Sequence, residues 1–325
     1  MKISFLTILI LLLVATISYF GCNAPRNNPL DPENPENKRF QIQGTVQTNT
    51  NPPTPVANAN VFWKNKNVFV RSNSFGKFLL EHLEPKNGWL YVEKNGFSDD
   101  SFLVRWNGKK NINVVRNLNA IPKLDSIMMF SIVKNRGIDT KEYQLVIEAD
   151  VSDDSDIDSV FLVNEELEIR KQLSKKSSMH FSGTFSDFDL NINSFDIIIG
   201  RNFLLVAKEI SGTAFTIGSA NVKRIIKEEI EILSPKNSEL VTTMPTLRWK
   251  RFTPGFAFSY MIEIYTDEIE PILKWSKPNI SSDSIYFSVE TTLDTSATSE
   301  FFWVIWGIDE FKNKTRSKPA SFIVQ

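Results

Sequence analysis

Short alternations of apolar and polar residues, each closed by Asn, Ser, Asp, Gly or Pro, limit the fold of this chain more than any other feature. FQIQGTVQT (40–48) and FSYMIEIYTD (258–267) show the pattern. A period of two sends successive side chains to opposite faces of a strand, so each run reads as a half-buried strand. Helical periodicity of 3.6 is hard to find after residue 21. Phe is abundant, with 25 among 325 residues, and the chain is long enough for two or three cores. Together these features predict an all-β chain of sandwiches built from short strands.

The N-terminus follows a different rule. Lys2 precedes an almost wholly apolar run, 3–20. Such a run serves as a signal h-region or as a marginal membrane span. Gly21-Cys22 favours the signal, because a small residue before the cysteine suits a signal peptidase and the thiol can then be acylated. Tyr19-Phe20-Gly21-Cys22 resembles the lipobox of bacterial lipoproteins, Leu-Ala/Ser-Gly/Ala-Cys, with larger residues in its first two positions. The resemblance implies a signal peptide over 1–21, lipidation at Cys22 and attachment to a membrane through the lipid; an uncleaved anchor is the alternative. Residues 22–39 are rich in Asn and Pro and nearly free of large apolar side chains. They read as a disordered tether reaching up to ~50 Å. NPLDPENP (28–35) is similar to segments that follow the cysteine in such lipoproteins. Asn23 stands where Asp would retain a lipoprotein in the inner membrane of enteric bacteria. The expected location is therefore the outer membrane, on its cell-surface or its periplasmic face.

Charge and residue usage narrow the chemistry. A formal charge of −1 with no concentrated basic face argues against a nucleic-acid partner. Cys22 is the one cysteine, so a lipid on it precludes a disulfide within the chain. The two histidines, His82 and His180, fall at a strand end and in a turn-like segment and read as surface residues. There is no Cys/His set for zinc, no G-x-S-x-G, no H-E-x-x-H and no phosphate-cradling glycine loop. The expectation is a protein without cofactor, metal site or catalysed reaction.

Three modules follow the tether. In the first, 40–121, Gly44, Val46, Pro55, Val56, Ala59, Val61, Ser74, Gly76, Phe78, Leu80, Leu90, Val92, Lys94, Gly96 and Phe97 occupy positions that make it resemble a carboxypeptidase regulatory-like domain. That resemblance implies a seven-stranded, transthyretin-like sandwich without catalytic residues, a type used as a spacer, with sugar binding in some related sandwiches. Tight turns are expected at 73–76 and 85–88. The second module, 122–229, has strand candidates at 127–133, 143–151, 159–163, 181–185 and 202–208. EADVSDDSDIDSVFLV (148–163) and RNFLLVAKEISG (201–212) resemble parts of bacterial Ig-like or cadherin-like domains. Asp154, Asp156 and Asp158 alternate, and Glu165 stands twelfth from Asp154, which mimics an EF-hand loop. Ser159 occupies the position where that loop needs Gly, and the flanks read as strands. Calcium at a domain junction and an ordinary solvated turn both remain open. The third module, 230–325, resembles a fibronectin type III domain. The resemblance rests on Pro245, Leu247, Trp249, Tyr260, Ile262, Ile264, Phe301, Trp303, Ile305, Gly307, Asp309, Asn313 and Ser317.

Period-two logic in the third module yields the candidate binding face. If Phe301, Trp303 and Ile305 point inward with Tyr260, Ile262 and Ile264, then Met261, Tyr265, Phe302, Val304 and Trp306 point outward around Glu263. Such a patch marks an interface: the second module packed over it, a partner protein, or a glycan stacked on its rings. In the first module Trp89 is expected to plug one end of the sandwich, and Trp106 to be the most exposed of Trp63, Trp89 and Trp106. The function expected is non-catalytic binding or scaffolding of an envelope protein partner; the alternative is capture of a polysaccharide at the cell surface.

Overall fold

A computed structural model describes residues 40–137, 140–154 and 156–325. Cys22, the signal segment and the tether lie outside the described residues. The chain forms two compact units divided after Ala120, and every sheet is part of an all-β architecture.

The described residues of the first unit form seven strands: β1 Phe40–Thr48, β2 Asn60–Trp63, β3 Val68–Arg71, β4 Lys77–Leu83, β5 Gly88–Glu93, β6 Asp100–Val104 and β7 Asn111–Leu118. They make two sheets, β4-β1-β7 and β3-β2-β5-β6, with β1 and β7 parallel and the remaining pairs antiparallel. Alternate residues fill the core between the sheets, among them Ile42, Val46, Val61, Trp63, Phe78, Leu80, Leu90 and Val92. Gly44 has a specific reason. A Cβ there would lie 2.2 Å from the Val114 carbonyl oxygen, so only glycine lets β7 approach so closely. The turn at 73–76 forms through Asn73, whose side-chain oxygen accepts from the Phe75 and Lys77 amides at 2.9 and 3.0 Å. Arg116 on β7 grips Asp100 on β6 with two bonds of 2.6 and 2.8 Å, tying one sheet to the other.

The second unit continues with β8 Lys123–Gly137, β9 Thr140–Ser152, β10 Ile157–Asn164, β11 Ile169–Gln172, β12 Ser174–Lys175, β13 His180–Ser186, β14 Phe203–Glu209 and β15 Ala214–Ala220. It ends with β16 Ile232–Ser234, β17 Glu239–Val241, β18 Thr246–Trp249, β19 Phe258–Thr266, β20 Leu273–Ser281, β21 Tyr286–Ser288, β22 Glu300–Asp309, β23 Lys314–Arg316 and β24 Ala320–Val324. Two apolar cores form here. One gathers Leu145, Ile147, Val160, Leu162, Phe181, Phe203 and Leu205; the other gathers Trp249, Tyr260, Ile262, Ile264, Phe301, Trp303 and Ile305. A single sheet, β12-β13-β9-β8-β23-β22-β19-β20, runs past both. The smaller sheets β11-β10-β14-β15 and β16-β18-β21 supply strands to the first and second core respectively.

The regions read from sequence as a second and a third module thus share one sheet. The join is the parallel pairing of β23 with β8, Lys314 to Ile132, Thr315 to Val133 and Arg316 to Lys134. Buried polar side chains hold it. The Asn313 side-chain oxygen accepts from the Ser131 amide at 2.9 Å and from its hydroxyl at 3.2 Å. The Asn313 amide nitrogen donates to Asp309 at 3.1 Å, and Asn135 donates to the Arg316 carbonyl at 2.7 Å. The Asp309 carboxylate, itself without accessible surface, lies 3.3 Å from Arg224. Two residues on which the fibronectin type III resemblance rests, Asp309 and Asn313, thus take part in joining the sheet.

Candidate functional site

The anticipated binding face forms in the anticipated register. Across β19 and β22, Met261 pairs with Trp306, Glu263 with Val304 and Tyr265 with Phe302. The face is nevertheless not open. Val304 has no accessible surface and Trp306 only 6%. They belong to a fourth apolar cluster with Phe130 and Ile132 from β8 and Val146 from β9. The cause is the join just described: β23 brings the even-numbered residues of β8 alongside the outward residues of β22. Lys314 lies 4.8 Å from the Trp306 ring and 5.9 Å from Phe130, and Arg316 lies 5.9 Å from Trp306. Their aliphatic stems add cover while the cations face the rings.

The polar groups of this cluster are linked. Glu263 accepts from the Trp306 indole at 2.7 Å and from the Tyr265 hydroxyl at 2.8 Å. Tyr265 stacks on Phe302 with centroids 5.3 Å apart. Burial and the Glu263 carboxylate push the Tyr265 hydroxyl up to about 12. Burial pushes the Lys314 ammonium down, opposed by Glu263. This is an internal cluster with a half-exposed rim of Met261, Tyr265 and Phe302, and its centre offers nothing for a partner to cover.

The tryptophans of the first unit also depart from expectation. Trp106 is buried at 3% exposure. Its indole donates to the Lys86 carbonyl at 3.0 Å, and its ring packs edge-on against Phe40 and Trp63. It fills the core end that had been assigned to Trp89. Trp89 instead stands 45% exposed on the outer face of β5. Phe69 (62% exposed), Phe62 and Tyr91 share that face, in cross-strand register Phe69–Phe62–Tyr91. The Phe62 and Tyr91 rings lie 6.4 Å apart, with the Lys64 ammonium 6.0 Å from Tyr91. The signal was present in the sequence. Phe62 alternates with inward Val61 and Trp63, and Trp89 and Tyr91 alternate with inward Leu90 and Val92; the missing piece was the strand at Val68–Arg71.

Among the described residues neither histidine forms a Ser-His-Asp arrangement. His82 is exposed. His180 lies 2.8 Å from Asp150, whose other oxygen accepts from Ser126 at 2.6 Å. The serine reaches the carboxylate and not the imidazole, which is the wrong order for nucleophile activation. Ser126 first, and His180 second, hold the Asp150 carboxyl below its ordinary range. In the acidic turn, Asp158 sits 3.6 Å from Lys208 and accepts from Ser159 at 3.0 Å. Among the described residues no group of three or more His, Cys, Asp or Glu side chains is placed to hold a metal, and no helix is long and apolar enough to cross a membrane.

No protein-family model matches the chain, and no curated protein matches it. Similarity to solved structures is found at low identity. The chain is similar to the fibronectin(III)-like modules of Clostridium thermocellum CbhA, at 12% identity over 63% of this chain and 94% of that one, TM-score 0.28. It is also similar to the FN1–FN3 domains of chicken CNTN1, at 7% identity over 82% and 90%, TM-score 0.30. A third is the major pilin subunit BcpA of Bacillus cereus, at 9% identity over 88% and 96%, TM-score 0.26.

Proposed function

We propose that this chain is a lipid-anchored, non-catalytic protein of the outer membrane that engages an envelope protein through the first unit. One observation carries the reading: Phe69 and Trp89 stand 62% and 45% exposed on the same sheet face as Phe62 and Tyr91. Large aromatic side chains left open together mark an interface, because their removal from water is worth more than that of any other side chains. Asn60, Arg71 and Glu93 on the same strands supply a polar rim. The anchor rests on Gly21-Cys22 behind the apolar run and on the Asn/Pro tether after it. The fused sheet of the second unit suits a scaffold, since a polar seam buried across two cores resists bending.

The test is a photo-crosslinking amino acid placed at 69 in the full chain, expressed in cells, with position 188 as the comparison because Phe188 is 90% exposed on the other unit. A discrete protein adduct at 69 that disappears with Trp89→Ala, and no such adduct at 188, is expected. Equal labelling at both positions contradicts the reading. Cys22→Ser should release the chain from the membrane fraction, and retention there would contradict the lipid anchor.

A further inference from the structure

The other outer face of the first unit has a different chemistry. β1 and β7 run parallel, with Gln43 beside Asn113, Thr45 beside Val115 and Gln47 beside Asn117. Inward Ile42, Val46, Val114 and Leu118 alternate with these residues, so the six side chains share the outward face. Gln43 donates to Asn113 at 2.7 Å, and Gln47 to Asn117 at 2.9 Å, both at exposed positions. A groove of about 740 Å³ runs over the Gln43–Asn113 part of this face, lined by Gln43, Thr45, Asn113 and Val115, with Leu79 and Lys77 of β4 and Arg71 of β3 at its side.

Two features set this face apart from an ordinary solvated one. Asn is depleted in strands because its side chain competes for the backbone, yet Asn111, Asn113 and Asn117 occupy alternate outward positions of β7. A sequence that breaks a local rule at several equivalent positions needs a reason beyond folding. Moreover the outward residues of β1 and β7 are all neutral, with Lys77 of β4 standing beside Thr45 at one side of the groove. A nucleic acid would require cations, and a protein interface draws its energy from aromatic and Arg anchors, which are missing from β1 and β7 on this side.

We infer that this face binds a neutral polysaccharide. Each amide side chain offers two donors and an acceptor, and a sugar hydroxyl likewise both donates and accepts. In each Gln–Asn pair one bond fixes the two amides relative to each other and leaves their remaining capacity for a ligand, so little ordering cost remains at binding. The two pairs stand about 13 Å apart, four residues along extended strands. That separation calls for a chain of sugar units rather than a single ring. Between the pairs, Thr45 adds a hydroxyl, while Val115 and Leu79, 58% and 42% exposed, present apolar surface to the C–H faces of the rings. Apart from Arg71, which lines this groove and rims the aromatic face, the residues argued for here are not those of the aromatic set, and the inference does not depend on the protein-partner reading.

Affinity electrophoresis tests it. The full chain in detergent is run through gels carrying a β-glucan, a xylan, a galactomannan or starch, with polygalacturonate as the acidic comparison. Retardation by at least one neutral polymer is expected. It should persist in about 1 M salt, where charge attraction is screened out. The pair Gln43→Ala/Asn113→Ala should weaken it at least tenfold. Gln43→Glu/Asn113→Asp, which keeps shape while replacing donors by mutually repelling carboxylates, should do the same with an unchanged circular dichroism spectrum, and Phe69→Ala should leave it intact. No retardation in any neutral gel overturns the inference. So does retardation by polygalacturonate alone that is lost on Lys77→Ala/Arg71→Ala, or binding that both double variants of Gln43 and Asn113 leave untouched.

Discussion

Two aromatic sheet faces in this chain have opposite fates. On β22 and β19, Phe302, Val304 and Trp306 lie opposite Tyr265, Glu263 and Met261, and the centre of that face is sealed. On β2, β3 and β5, Phe62, Phe69, Trp89 and Tyr91 have the same alternation, and Phe69 and Trp89 remain open. The strand pattern is equivalent in the two places. What differs is the neighbour: β22 has β23 and then β8 beside it, whereas β3 ends its sheet. Periodicity assigns a side chain to a face, and the strand next to it decides whether that face meets water.

The largest expected effect concerns the sealed face. Trp306→Ala removes a side chain that is 6% exposed, packed in the cluster with Phe130 and Ile132 and bonded to Glu263. It should cost about 3–5 kcal/mol of stability, as truncation of a buried Trp does, read as a shift of the denaturant midpoint at constant slope. A cost under about 1 kcal/mol would mean that this face is open after all.

Next comes the seam that brings β8 to β23. Asn313→Ala strands the Ser131 amide and removes one partner of the buried Asp309. The expected loss is about 2–3 kcal/mol, the cost of unsatisfied buried polar groups. A sharper readout is hydrogen exchange: the Ser131 amide should lose protection, while the Phe62 and Tyr91 amides of the first unit should keep theirs. Unchanged protection at Ser131 would show that the seam does not depend on Asn313.

Much of this architecture can be read from the residues alone, and the failures share a cause. The inward set Tyr260, Ile262, Ile264, Phe301, Trp303 and Ile305 follows from period two, and all six are fully buried. The turn at Asn73 follows from its dipeptide context. The cover over Trp306 does not follow from any local signal, because it depends on a parallel pairing between residues such as Ser131 and Asn313, 182 positions apart. Lys314 and Arg316 look like ordinary surface cations until the rings they lie against are known. Trp89 and Trp106 exchanged places for a related reason. Both adjoin turns, and only the two bonds that Asn87 and Lys86 make to Trp106 decide which ring enters the core. The amide face was legible in QIQGTVQ and NINVVRN, but its meaning depended on those two strands being neighbours.

A smaller effect sharpens the comparison through pH. The Tyr265 hydroxyl is pushed up to about 12, chiefly by burial and then by Glu263. An unfolded Tyr ionises near 10, so between about 10 and 12 the unfolded chain releases a proton that the folded chain keeps. Stability contributed by this group is therefore complete below pH 10 and is lost as pH rises towards 12. Tyr265→Phe should flatten that part of the stability profile, and a spectrophotometric titration should lose its latest-ionising tyrosine. If Tyr265→Phe leaves the alkaline slope unchanged, the half-exposed rim around Tyr265 is open to water.

The smallest effect on stability belongs to the open face, and it decides the comparison. Phe69→Ala truncates a ring that is 62% exposed, so the folded state loses little buried area relative to the unfolded chain. The change should stay within about 0.5 kcal/mol, as for surface substitutions generally. That value, set against the loss at Trp306, separates a ring kept for packing from one with no packing to do. An aromatic side chain that contributes nothing to its own fold still carries a solubility cost, which is what the proposed partner would offset. Should Phe69→Ala cost as much as Trp306→Ala, some part of the chain covers the face, the aromatic set becomes a second sealed surface, and the protein-partner reading loses the observation that carries it.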